Sequence, residues 1–279
     1  MLAAVPLVCA LLYAAGSHGL KGALGRGASP ASVNAASNFF MAALALPLLG
    51  LLVVRPASPD FPGLAAAVGA GVLLFVGRLF TLHALRWGDL SVVAPLLASK
   101  TLFVAGLTLI TGTGEITPRM GLAALLASMA VIFLQRGPAT HARPRAAAIL
   151  LAVAASVFYA LSDVIVQACA RPLGIGLFLP VMFCTLAALV PFTRPSPLPS
   201  TARKPALAGS FVVGLQTTAM VFAIGLSGQA TLLNILYSTR SLWAVLIDGW
   251  HGSARGFLAS RLAGAALLTA AVVLASWKE

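Results

Sequence analysis

A run of about 20 mostly apolar residues is what one helix needs to cross a bilayer, and this chain carries ten such runs in succession. They cover approximately 3–22, 32–54, 63–85, 90–112, 118–135, 146–169, 174–192, 205–226, 229–248 and 257–277. Backbone groups inside a bilayer must pair within their own segment, so serial apolar runs of this length predict a helical bundle. Composition removes the soluble alternative: only 9% of residues are charged and 60% are hydrophobic, where soluble domains carry about 25% charged residues. The net charge of +12 does not point to nucleic acid. The bases are dispersed between apolar runs, with no basic face and no aromatic RNA-binding motif. They read as loop charges of a membrane protein.

Cys9, Cys169 and Cys184 form no metal or CxxC spacing and lie in apolar runs, so they read as packing residues. No metal site or cofactor is expected. The first apolar run lacks the basic start of a cleavable signal peptide and reads as a retained helix. Turn-rich segments at 55–63, 136–146 and 193–205 separate the runs. The charged 136–145 stretch is the natural linker between a first five-helix unit, 1–135, and a second, 146–279.

These units resemble one another. Moving 140 positions along aligns Gly88 with Gly228 and Ser91 with Thr231. The same step sets Ser99-Lys100-Thr101-Leu102-Phe103 on Thr239-Arg240-Ser241-Leu242-Trp243. A step of 146 aligns Tyr13 with Tyr159, Ser17 with Asp163 and Lys21 with Gln167. Because five helices is an odd number, the second copy enters the membrane from the opposite side. That predicts an all-α fold of ten transmembrane helices in two inverted repeats, the arrangement of many secondary transporters, with the binding site between the halves.

The polar residues of the ninth run follow a helical pattern. At about 100° per residue, Thr231, Asn234, Tyr237, Ser238, Arg240 and Ser241 cover roughly half the helix, and Leu232, Ile235, Leu236, Leu242 and Trp243 the other half. One wet side on a membrane helix predicts a cavity. In the sixth helix Ser156, Tyr159, Asp163 and Gln167 form one stripe.

The segment ALRWGDLSVVAPLLASKTLF, followed by GTGEITPRMGLAALLASMAVIFL, resembles an EamA-type unit of the drug/metabolite transporter superfamily. The matching residues are Gly88 and Ser91 opening the fourth helix, Pro95 one turn on, and Gly114-Glu115 before the fifth. The second half is similar through Gly228, Thr231 and the STRSLW segment. It departs at Ile235, where the proline would stand, and at Arg255, in the place of Glu115. The resemblance implies a multi-pass permease of the bacterial inner membrane, with a cavity lined by helices one, three, four, six, eight and nine. It also implies both termini in the cytoplasm, whereas the odd-numbered loops carry most of the bases and point to the N-terminus outside.

Lys100 and Arg240 are the leading substrate-binding candidates, each expected about half-way along its helix, with Asn234, Tyr13, Tyr159 and Ser238 beside them. An ionisable group at that depth costs at least ~2.5 kcal/mol on insertion scales, and a buried ion pair is the competing account. Two symmetric cations suit an anionic or zwitterionic solute: an amino acid, an organic acid or a phosphorylated compound. Asp163, Arg78 and His83 form the second constellation, read either as a salt bridge between Asp163 and Arg78 or as a proton-coupling site. Asn38, Gln216 and Gln229 read as interhelical glue. Efflux of cationic or apolar compounds is the alternative within the class. Small residues recur at Ala123 and Ala127 and at Ala266 and Ala270, a pattern that serves internal packing or a dimer equally, so monomer and homodimer both stand.

An enzyme is the alternative outside the class. Gly225-Leu226-Ser227-Gly228 matches the short Gly-x-Ser-Gly pattern of intramembrane serine proteases, which need a later histidine to activate the serine. His251, in an expected loop, is the only later one. There is no phosphate-binding Walker motif and no paired acidic motif for magnesium-diphosphate, so no catalytic residue is assigned.

Overall fold

A computed structural model describes residues 4–54, 60–87, 96–97, 99–134, 146–243, 246 and 258–276. The expected linker 136–145, the motif residues Gly88, Ser91 and Pro95, and His251 and Arg255 lie outside these residues. Among the described residues the chain is all helical, with ten helices and no strand. They are α1 (Ala4–Gly25), α2 (Pro30–Ala45, running on through a 3-10 turn at Leu46–Gly50 into Leu51–Val54), α3 (Phe61–Trp87), α4 (Lys100–Thr111) and α5 (Pro118–Leu134). The second half supplies α6 (Ala146–Leu173), α7 (Ile175–Leu189), α8 (Ser200–Ser227), α9 (Ala230–Tyr237) and α10 (Leu258–Ser276).

Local chemistry explains the helix ends. Ser29 caps α2, its side chain accepting from the Ser32 N–H, and Pro30 fills the first helical position, where no N–H is needed. Pro47 lacks the N–H that would continue α2 as an α-helix, and the backbone tightens to 3-10 there. Glycines stop α4 and α8 in the left-handed conformation, Gly112 at φ 61° and Gly228 at φ 68°.

Among the described residues, six helical spans are long and apolar enough to cross a membrane: α1, α2 with its continuation, α3, α6, α7 and α8. α4, α5 and the 262–276 part of α10 are shorter apolar helices. Large apolar side chains such as Val8, Phe39, Val53, Phe61 and Ile110 point outward, as lipid contact requires. This is the architecture of a multi-pass membrane protein.

The helices pair in matched sets: α1 packs on α8 and α6 on α3, α2 on α8 and α7 on α3, α1 on α9 and α6 on α4. α5 packs on α10. Glycine makes the closest approaches. A Cβ on Gly209 of α8 would stand 2.8 Å from the Gly16 carbonyl oxygen and 2.9 Å from the Leu20 nitrogen of α1. On Gly264 of α10 it would stand 2.7 Å from the Leu134 nitrogen of α5. The stripe of α5 is internal, with Ala123 and Ala127 fully buried, whereas Ala266 and Ala270 of α10 are exposed.

Gly209→Ala should therefore destabilise the bundle by about 1–3 kcal/mol, the usual cost of overpacking. Gly22→Ala in α1, where an added Cβ meets nothing within 4 Å, should be neutral or slightly stabilising. Thermal unfolding of both variants in detergent separates these outcomes.

Candidate solute-binding cavity

The cavity forms where α4 and α9 are interrupted beside α1, α3, α6 and α8. The Ser99 N–H bonds the Leu96 carbonyl at 3.2 Å, and the Thr239 N–H bonds the Leu236 carbonyl at 3.3 Å. Both are bonds of the tighter 3-10 type. The side-chain hydroxyls donate to the same carbonyls, Ser99 Oγ at 2.6 Å and Thr239 Oγ1 at 2.8 Å. In each stretch a cation follows immediately. Lys100 opens the regular part of α4, and Arg240 follows the turn after α9. A hydroxyl competing for a backbone carbonyl is the local cause of each interruption.

The partners of the cations also match. Lys100 Nζ lies 5.7 Å from the ring centroid of Tyr159 on α6, and the Arg240 guanidinium carbon lies 4.9 Å from that of Tyr13 on α1. Arg240 additionally sits over Tyr237 at 4.6 Å, and the two tyrosine rings meet edge to face at 5.8 Å. Cation–aromatic contacts of this kind contribute about 0.5–2 kcal/mol each. They hold an arginine in place without neutralising it.

Asp163 pairs with Lys100, Nζ to Oδ2 at 2.7 Å, with side chains only 13% and 7% exposed. Asn234 Nδ2 donates to the same oxygen at 2.7 Å and to the Ala230 carbonyl at 2.9 Å. The salt bridge expected between Asp163 and Arg78 is therefore corrected. Lys100 on α4 reaches the carboxylate, while Arg78 Nε donates to Asn34 Oδ1 on α2 at 3.3 Å. Neither Arg78 nor Arg240 has a carboxylate within ion-pair distance among the described residues.

Tyr13, Arg78, Lys100, Tyr159, Asp163 and Arg240 all line the cavity, with Gln216, Thr217 and Tyr237 completing its polar wall and Leu74, Leu97, Met220 and Val221 its apolar one. About 80 Å³ is open to the centre of a water molecule, where one water needs roughly 10–15 Å³. The space suits a small solute. Asn234 stands behind Asp163, and Ser238 is buried, donating to the Asn234 carbonyl at 2.9 Å and lying 3.3 Å from Thr101 Oγ1. His83 does not line the cavity. Its ring packs against Trp87 at 5.5 Å, near the end of α3.

Tyr237 OH donates to Gln216 Oε1 at 3.0 Å, and Tyr159 OH lies 3.0 Å from Thr81 Oγ1. Thr217 was not anticipated, though the Gln216-Thr217-Thr218 triplet inside an apolar run was a visible signal. Along α6 the cavity stops at Asp163. One turn on, Gln167 Oε1 accepts the Ala230 N–H at 2.7 Å, and its Nε2 donates to Thr113 Oγ1 at 3.2 Å. A further turn on, Arg171 Nε donates to the Leu226 carbonyl at 3.1 Å. Three successive cross-links close this end. Ser227, the candidate nucleophile, accepts the Gln229 N–H at 3.1 Å in the turn between α8 and α9.

A solved structure described only as "Crystal structure of protein" superposes on this chain with a TM-score of 0.76 and 16% sequence identity, over 99% of this chain and 96% of that one. The fold is shared. No family model matches the chain, and no curated protein matches it.

Proposed function

We propose that the chain is a secondary transporter of EamA type, built of two inverted five-helix repeats, that moves a small anionic or zwitterionic solute across the bacterial inner membrane by alternating access. The carrying observation is the recurrence of one arrangement: a hydroxyl-backed helix interruption, a cation after it, and a tyrosine of the facing half beneath that cation. It occurs once from α4 to α6 and once from α9 to α1. The matched pairings of α1 with α8 and α6 with α3 support the repeat. Binding between such halves is the usual plan of secondary carriers. Arg240 is the solute-binding cation, Tyr13 and Tyr159 are the walls, and Lys100 with Asp163 and Asn234 ties the two halves together beside the solute.

Cationic solutes are disfavoured by the same geometry, since the one carboxylate lining the cavity among the described residues already accepts from Lys100 and Asn234. The reading is tested by thermal shift of the detergent-purified protein and by uptake into proteoliposomes, with anionic, zwitterionic, cationic and neutral metabolites at constant ionic strength. Anions or zwitterions should stabilise the protein, by about 2.7 kcal/mol at a hundredfold excess over the dissociation constant, and should be taken up. Stabilisation and uptake confined to cations would overturn the reading. Ser227→Ala should leave uptake unchanged, and loss of a peptidase activity in that variant with uptake intact would favour the enzyme.

A further inference from the structure

We infer that the solute carries two negative charges, one met by Arg240 and the other by Arg78. The inference rests on the transporter reading and narrows it. Among the described residues, four ionised side chains line the cavity: Arg78, Lys100, Arg240 and Asp163. Lys100 and Asp163 cancel at 2.7 Å. The two guanidiniums remain, and arginine does not shed its proton in proteins.

Among the described residues their contacts are all to uncharged groups. Arg78 is 9% exposed and, among the described residues, reaches only the amide oxygen of Asn34, whose own Nδ2 is buried without a partner there. Arg240 lies over two neutral rings. Each buried ion left uncompensated costs several kcal/mol even after relaxation. A monoanion leaves one guanidinium unbalanced. A zwitterion leaves both unbalanced in net charge and adds an ammonium to a cationic cavity. A dianion closes the count.

The repeat leads to the same place. The step that carries Tyr13 to Tyr159 carries Ser17 to Asp163. Lys100 thus has a protein carboxylate at its side, while the position that would serve Arg240 holds a neutral serine. The missing carboxylate is the solute's. Two negative charges on a small solute describe either a short dicarboxylate, with one charge on each of two groups, or a phosphate monoester, with both on one, and guanidinium forks grip carboxylate and phosphate bidentately.

The test uses the full-length protein in detergent at neutral to slightly alkaline pH and fixed ionic strength, because surface electrostatics is screened by salt. The probes are succinate, glycerol 3-phosphate, butyrate and glycine, titrated by thermal shift. In the wild type at least one dianion should bind at least about tenfold more tightly than butyrate or glycine, a gap of one decade or about 1.4 kcal/mol. Which dianion is tighter assigns carboxylate or phosphate. Arg78→Gln should collapse the preference of that dianion over butyrate towards unity, while Arg78→Lys, which keeps the charge, should retain most of it.

Butyrate or glycine binding as tightly as both dianions overturns the two-charge inference and leaves the anion or zwitterion carrier standing. Binding of none of the four overturns both. The wild-type ratio decides even if Arg78→Gln fails to fold.

Discussion

Asp163→Asn will destabilise the protein by about 3–5 kcal/mol, the cost of removing one member of a buried ion pair. The loss does not come from the missing attraction alone. Lys100, 13% exposed, would be left facing a neutral amide, with the Tyr159 ring at 5.7 Å as its remaining electrostatic support. Asn234 would also lose the charged acceptor it meets at 2.7 Å. The double variant Lys100→Met with Asp163→Leu should recover most of the stability, since replacing both charges by apolar groups is often neutral. Thermal unfolding of the wild type, Lys100→Met, Asp163→Leu and the double variant forms a closed cycle. If the double variant loses the sum of the single losses, the two residues are not coupled and the bridge is not what holds α4 to α6.

Arg240→Gln is expected to weaken solute binding by about 30-fold to several thousandfold, the 2–5 kcal/mol that removing one partner of a buried, hydrogen-bonded charge pair costs. The fold should survive, because Tyr13 and Tyr237 keep their own edge-to-face contact and Tyr237 keeps Gln216. Arg240→Lys should recover only part of the affinity, because an ammonium is a point charge without the bidentate fork. Ligand titrations and the KM for uptake read the effect. A fall in thermal stability with unchanged affinity would make Arg240 a packing residue clamped by tyrosines.

The helices were legible in the sequence because bilayer length and apolarity impose them directly. So was the likeness of the Ser99-Lys100 and Thr239-Arg240 stretches, because matching residue types at matching spacing stand in the residue order. The interruptions were not. Ser99 and Thr239 read as ordinary polar residues of a helix, and nothing in their identity states that their hydroxyls take the carbonyls of Leu96 and Leu236. The partner of Asp163 was also hidden. Three cations compete for one carboxylate, and only the packing of α4 on α6 places Lys100 nearer than Arg78. The place of His83 off the cavity wall was hidden for a similar reason. A histidine five positions beyond Arg78 has turned away from the cavity and packs against Trp87.

The Lys100–Asp163 bridge also bears on the order in which the chain is assembled. Lys100 leaves the ribosome about 60 residues ahead of Asp163, a lag of roughly 3–12 s at synthesis rates of about 5–20 residues per second. Until then α4, 12 residues long in its regular part, carries an ammonium whose insertion alone costs about 2.5–3.5 kcal/mol. Its stable seat in the bilayer waits for α6. The carboxylate that α6 brings thus completes the surroundings of a helix made well before it.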